Sequence, residues 1–235
     1  MKCILIGGGE IGRGNTSYEL QEIDKEIKNM TQKETPTLLF IGLASDHADS
    51  YYKKIKENYQ ALGCKTTYLK KTNLENNPSI SRDKIKQADI IYIGGGDTIK
   101  LLEKVKKYDL EKDLKEAAKR NCIMVGISAG AILLSKKGYS DSYILRGESD
   151  KYQFIDGLGI LDIKISPHYH ETDEKTKQLE EALKMKKEVI YGIENKAALK
   201  VIDQDLSQIS CFKKKVYQVT YDKKLKEEAL TGGKR

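Results

Sequence analysis

The sequence predicts an α/β fold, a doubly wound and mostly parallel sheet flanked by helices. Two observations predict it. Short apolar runs alternate with amphipathic helical stretches up to about residue 138. Three of those runs also end in glycine-containing turns, at Gly7–Gly9, Gly94–Gly96 and Gly126–Gly130. In open α/β sheets such turns sit at the carboxyl edge of the strands, where ligands bind. No repeat or linker interrupts the pattern, so residues 1–235 are expected to form one domain.

The elements follow in order. Lys2–Ile6 is a first strand. A helix is expected from about Thr16 to Met30, with Leu20, Ile23, Ile27 and Met30 as its stripe. Thr16 with Glu19 would form its capping box. Thr37–Leu43 reads as a fully buried strand. Helix two, His47–Leu62, carries Tyr51, Ile55, Tyr59 and Leu62, and Gly63 stops it. Lys65–Leu69 is a strand, and residues 70–83 read as a polar loop. Asp89–Ile93 is the next strand, followed by helices at Ile99–Lys106 and Asp113–Lys119 and a strand at Cys122–Val125. Gly138–Gly159 carries little helix signal. Ile160–Ile165 then reads as a strand, Thr172–Lys186 as a helix and Glu188–Ile193 as a strand. Ala197–Ile202 and Val216–Tyr221 look antiparallel, and the charged tail reads as frayed.

Composition narrows the function classes. The net charge of +7 comes from 42 basic and 35 acidic residues, but only Arg13, Arg82, Arg120, Arg146 and Arg235 are arginine. Lysines interleaved with glutamates on helix faces describe a solvated surface, not a nucleic-acid stripe. No apolar stretch approaches the ~18 residues of a membrane span, and the N-terminus does not read as a signal peptide. Cys3, Cys64, Cys122 and Cys211 lack a CxxC pair and read as buried small residues of a cytoplasmic protein.

The strongest chemical signal is Gly126-Ile127-Ser128-Ala129-Gly130 between a buried strand and the apolar segment AGAILLS. Gly-x-Ser-x-Gly there describes a nucleophile elbow, in which a sharp turn lifts the serine above the sheet. A plain strand–helix turn capped by serine is the alternative. A serine needs a base, and the chain holds His47, His168 and His170. His168 leaves a strand through Ser166-Pro167 on the same sheet edge and is the chosen base; His170 reads as a surface or substrate group. Glu194, in a Gly-Ile-Glu-Asn strand exit, is the expected orienting acid, with Asp141 as its rival. The order Ser…His…Glu is not that of α/β-hydrolases. Backbone N–H groups of Gly95 or Gly96 would join that of Ala129 in an oxyanion hole. Asp97 would cap the following helix or contact substrate. A competing reading takes Gly7–Gly12 as GxGxxG in an NAD(P)- or nucleotide-binding oxidoreductase. It lacks an acid about 20 residues on, since Asp46 lies 34 residues after Gly12. A non-catalytic binding protein on the same scaffold is the third reading.

Four ordered segments carry a resemblance: IGGGDT (Ile93–Thr98), GISAGA (Gly126–Ala131), SPHY (Ser166–Tyr169) and YGIEN (Tyr191–Asn195). In order and spacing they resemble the peptidase E and cyanophycinase family of serine peptidases, to about residue 203. The resemblance implies a fold like class I glutamine amidotransferases, a flavodoxin-like three-layer sandwich. It also implies Ser128 as nucleophile, His168 as base, Glu194 or Asp141 as acid, and Gly96 and Ala129 as oxyanion donors. Neither metal nor cofactor is expected. The implied partner is a short peptide, including N-terminal-Asp dipeptides, acted on by a monomer or homodimer. The segment after SPHY, HETDEKTKQ, is short and acidic, and would repel an Asp side chain. Glu171 or Asp173 there would instead hold a free α-amino group.

Overall fold

The computed structural model describes residues 1–186 and 188–232. Along the chain, β1 (Lys2–Ile6) leads to α1 (Gln21–Asn29), β2 (Thr37–Ile41), α2 (Ala48–Ala61) and β3 (Lys65–Tyr68). Two short helices follow, α3 (Lys71–Asn76) and α4 (Pro78–Gln87), then β4 (Ile90–Ile93), α5 (Thr98–Lys107), α6 (Glu111–Lys119), β5 (Ile123–Ile127) and α7 (Ala129–Leu134). The second half contains β6 (Ser135–Ser140), α8 (Ser142–Leu145), β7 (Gln153–Asp156), β8 (Leu161–Pro167), α9 (Asp173–Lys186) and β9 (Ile190–Ile193). It ends with β10 (Ala197–Ile202), β11 (Asp205–Ser210), β12 (Val216–Asp222) and β13 (Lys224–Ala229).

The expected α/β fold is present, but the strands divide between two sheets. The first has the order β11-β10-β1-β5-β4-β2-β3, the second β13-β12-β9-β8-β6-β7. Strands β1, β5, β4, β2 and β3 are mutually parallel. Their residues alternate between two cores. Cys3, Leu5, Leu39, Ile41, Ile91 and Ile93 face one; Ile4, Ile6, Leu38, Phe40, Ile90 and Tyr92 face the other. Burial on both faces is why these strands read as continuous apolar runs.

Four expectations about elements are corrected. The first helix starts at Gln21, not near Thr16, because Ile11 and Tyr18 form a β-bridge that holds the preceding segment extended. The Thr16–Glu19 capping box is replaced by a longer-range bond, from Glu10 N–H to Glu19 Oε2 at 3.0 Å. Residues 70–83 are largely helical; Asn77 accepts from Ile80 N–H and Pro78 opens α4. The tail is not frayed over its whole length, since Lys224–Ala229 pairs with β12 as a hairpin. Gly138–Gly159, which carries little helix signal, holds the end of β6, the short α8 and β7, and β6 pairs with β7 and β8 in the second sheet.

Candidate active site

The parallel register explains how distant residues meet. Ile6 pairs with Ile127, and Ile93 with Gly126. The turns Gly7–Gly9, Gly94–Gly96 and Ser128 therefore leave the sheet at one carboxyl edge. In the second sheet Pro167 pairs with Ile193, so His168 and the Glu194-Asn195 turn leave side by side. That turn also connects the sheets, because β9 belongs to one and β10 to the other. Its Lys196 N–H donates to Gly8 O at 2.8 Å, and Gly7 N–H donates to Ala197 O at 3.0 Å.

Ser128 sits at φ 53° and ψ −113°. This is a strained conformation for a residue with a side chain, the kind a nucleophile elbow imposes. It is held from both sides: Ser128 N–H donates to Ile6 O and Ile132 N–H to Ser128 O. The flanking glycines are required by close approach. A Cβ on Gly126 would stand 2.3 Å from Gly130 O, and one on Gly130 would stand 2.2 Å from Ile93 O.

The Ser128 hydroxyl lies 2.5 Å from His168 Nε2. On the other side of the ring, Nδ1 lies 2.9 Å from Asn195 Oδ1. Asn195 Nδ2 donates to Glu171 Oε1 at 3.1 Å, and that carboxylate stands 3.9 Å from Nδ1. Burial holds the His168 imidazole below its ordinary pKa; Lys175 pushes it further down, against Glu171, Asn195 and Asp141. Lys175 is itself buried, donates to Pro167 O just before the histidine, and is pushed down to about 8 by burial.

A cavity of about 390 Å³ opens over this set. Ser128, His168, Asn195 and Glu171 line it, together with Gly95, Gly96, Gly8, Glu10 and Arg13. Glu19 and Lys196, paired at 2.7 Å, also line it. Arg13 lies over the Tyr51 ring, 4.9 Å from its centroid.

Several expected site residues lie elsewhere. Glu194 is not beside the His168 ring: its Oε2 accepts from Lys215 N–H at 2.8 Å, and its Oε1 lies 3.5 Å from His170 Nδ1. Adjacent residues leaving a strand face opposite sides, so Asn195, and not Glu194, reaches Nδ1. Asp141 stands at the head of α8, and its charge affects His168 less than those of Lys175 and Glu171 do. Asp97 caps α5, accepting from Ile99 N–H and Lys100 N–H, and pairs with Arg146 at 2.8 Å. It is a structural cap and not part of the cavity wall. His170 is also outside the cavity, between Glu194 and Glu227 and against the rings of Tyr169 and Tyr217. His47 precedes α2 and does not line this cavity.

The Gly7–Gly12 turn opens no helix. A Cβ on Gly8 would stand 2.2 Å from Asn195 Oδ1 and 2.7 Å from the His168 ring. The oxidoreductase reading therefore loses its motif, because the glycine makes room for the His168–Asn195 pair instead of a pyrophosphate. Sequence reasoning missed Asn195, Gly8 and Lys175. Their neighbours Glu194 and His168 were found, but a one-residue choice within a turn leaves no periodic signal.

The chain is similar to known peptidases. Residues 3–209 match the model of Peptidase family S51. Over 169 residues the chain is 30% identical to the uncharacterized peptidase YgaJ of Bacillus subtilis, covering 72% of this chain and 69% of that one. It is 28% identical over 150 residues to a Peptidase E of Shewanella amazonensis, covering 57% and 59% of the two chains. The fold matches the crystal structure of a peptidase from an acI-B1 Actinobacterium with a TM-score of 0.67 at 22% identity, over 99% of this chain and 95% of that one. The chain belongs to peptidase family S51 and is a serine-type hydrolase of peptide bonds.

Proposed function

We propose that the chain hydrolyses short peptides, as an exopeptidase or dipeptidase, through an acyl-enzyme on Ser128. The observation that carries the reading is the 2.5 Å contact between the strained Ser128 and His168 Nε2, both lining the same cavity. Ser128 Oγ attacks the peptide carbonyl while its proton passes to Nε2. His168 then returns that proton to the leaving amine, and water repeats the sequence to free the acid.

Gly96 and Ala129 supply the N–H groups for the oxyanion. Gly95, which also lines the cavity, is the alternative donor to Gly96. Ala129 opens α7, where the helix leaves its first N–H groups unpaired along the helix. The cavity volume suits a peptide of a few residues. Glu10 and Glu171, each about half exposed at the rim, suit its free α-ammonium group. N-terminal-Asp dipeptides, which the family resemblance implies, are one arm of the test, set against the repulsion expected from the acidic HETDEKTKQ segment.

The test is labelling by a fluorophosphonate together with hydrolysis of dipeptides that differ only in the N-terminal residue. Stoichiometric labelling at Ser128, lost with turnover in Ser128→Ala, is expected. Normal turnover by Ser128→Ala would remove the serine from the mechanism.

A further inference from the structure

A serine hydrolase usually orients its histidine with a carboxylate, but here the group on Nδ1 is a carboxamide. We infer that His168 is positioned by a two-residue relay, Asn195 backed by Glu171, in which Glu171 decides how the Asn195 amide points and thereby which ring nitrogen is free to accept the serine proton. This rests on the reading of Ser128 and His168 as nucleophile and base.

The two ends of a carboxamide make opposite demands on the ring. With Oδ1 toward His168, Nδ1 must carry the hydrogen and donate it, so Nε2 is bare and accepts from the Ser128 hydroxyl. With the amide reversed, Nδ2 would donate to Nδ1, the ring hydrogen would move to Nε2, and the serine would lose its acceptor. The 2.9 Å contact to His168 is compatible with either state. The other end of the amide decides. Glu171 Oε1 is 3.1 Å away, and a carboxylate only accepts, so Nδ2 must face it. A reversed amide would set oxygen against carboxylate, and the loss of one charge-assisted bond alone biases the orientation roughly tenfold or more.

The surroundings serve the same end. Gly8 closes one side of the amide, with no room there even for a methyl group. Glu171 follows His168 by three residues, through His170 at φ 60°, which turns the chain back under Asn195. His170 is held in that conformation by Glu194 and Glu227 and by Tyr169 and Tyr217. Glu194 therefore braces the loop and does not touch the ring. When His168 takes the serine proton, the hydrogen on Nδ1 stays in place, because an amide oxygen does not take it. The new positive charge is answered by the Glu171 carboxylate 3.9 Å away. The other charges that act on the ring are Lys175 from α9, which opposes protonation, and Asp141 from the head of α8.

The test measures the rate of fluorophosphonate labelling at Ser128, against pH, in the full chain. Asn195→Ala and Glu171→Ala are each expected to slow labelling at least about tenfold, short of the ~10⁴-fold loss seen when a triad acid is made the wrong partner. Glu171 is half exposed, so Glu171→Ala keeps the fold, as matched thermal melts would verify. The double variant Asn195→Asp with Glu171→Gln exchanges charge and amide. It is expected to recover most of the rate and to move the acid midpoint of the profile upward, because a carboxylate directly on Nδ1 favours the charged ring. Labelling of Glu171→Ala at the unmodified rate with an unchanged profile would overturn the relay. A loss in Glu194→Gln as large as that in Asn195→Ala would also overturn it, by returning the role to Glu194. In both cases the intact chain still labels, so the hydrolase reading stands. An intact chain that does not label at Ser128 overturns both.

Discussion

Gly8 and Asn195 lie so close that a methyl group on the first would stand 2.2 Å from Oδ1 of the second. Gly8→Ala is therefore expected to push Asn195 and the His168 ring away from Ser128. Because His168 and Asn195 are on loops at the sheet edge, the cost should fall on catalysis more than on folding. A drop in kcat/KM of at least about tenfold, with a melting temperature within a few degrees of the parent, is the expected outcome. Unchanged kcat/KM would show that the turn tolerates the added carbon and that the contact does not limit the chemistry.

The pH profile should reflect burial at the base. His168 is held below its ordinary value by burial first and by Lys175 second, with Glu171 opposing. A base of this kind is neutral, and active, down to a lower pH than a free imidazole. The acid limb of kcat/KM is therefore expected to have its midpoint below about 6.5. Lys175→Met removes a cation and should move that midpoint upward, together with some loss of rate, because Pro167 O loses its donor. A midpoint that stays put in Lys175→Met would mean that the buried lysine does not act on the ring.

Asp24 gives stability a separate pH dependence. It is fully buried on α1, accepts from Tyr18 at 2.6 Å and Tyr59 at 2.7 Å, and is pushed up to about 6 by burial despite those bonds. The folded chain thus holds its proton more tightly than the unfolded chain does, whose carboxyl titrates near 3.8. Between those values the native state binds more protons, so stability falls as pH rises, by an amount on the order of 3 kcal/mol. Asp24→Asn should flatten that part of the curve. Thermal melts from pH 4 to 7 would read it, and parallel slopes for the two proteins would count against the account.

Asp97 provides a contrast within the glycine-rich turn of β4. It caps α5 and pairs with Arg146, so Asp97→Ala is expected to cost about 1 kcal/mol of stability. Its KM for a dipeptide should change less than about twofold, since the side chain does not line the cavity. A large rise in KM at unchanged stability would restore Asp97 as a substrate contact.

Much of this protein was legible in the residue order. Strands buried on both faces announce themselves as apolar runs, and the elbow GISAG announces itself because four small or polar residues share one tight turn. Ser128 and His168 were legible as residues that each end a strand, but the expectation of one shared sheet edge is corrected: β5 and β8 belong to different sheets, and the two residues meet where those sheets adjoin. The second sheet was less legible, because its strands, such as Ser135–Ser140 and Lys224–Ala229, are polar on the solvent side. The helices at 71–87 were hidden by a polar composition that suits loops equally well.

The sequence by itself singled out Ser128 and His168 as residues at the carboxyl ends of two strands. Only the tertiary structure decided what stands behind the histidine. Glu194 and Asn195 are neighbours in a turn, and which of them reaches Nδ1 depends on how that turn is pinned by Gly8 and Lys215. Those contacts join residues nearly 190 or about 20 positions apart, and a turn between two sheets has no periodicity to reveal its facing. The glycine-rich N-terminal turn had the same ambiguity: its composition permits close approach, but only the fold determines that what approaches is Asn195.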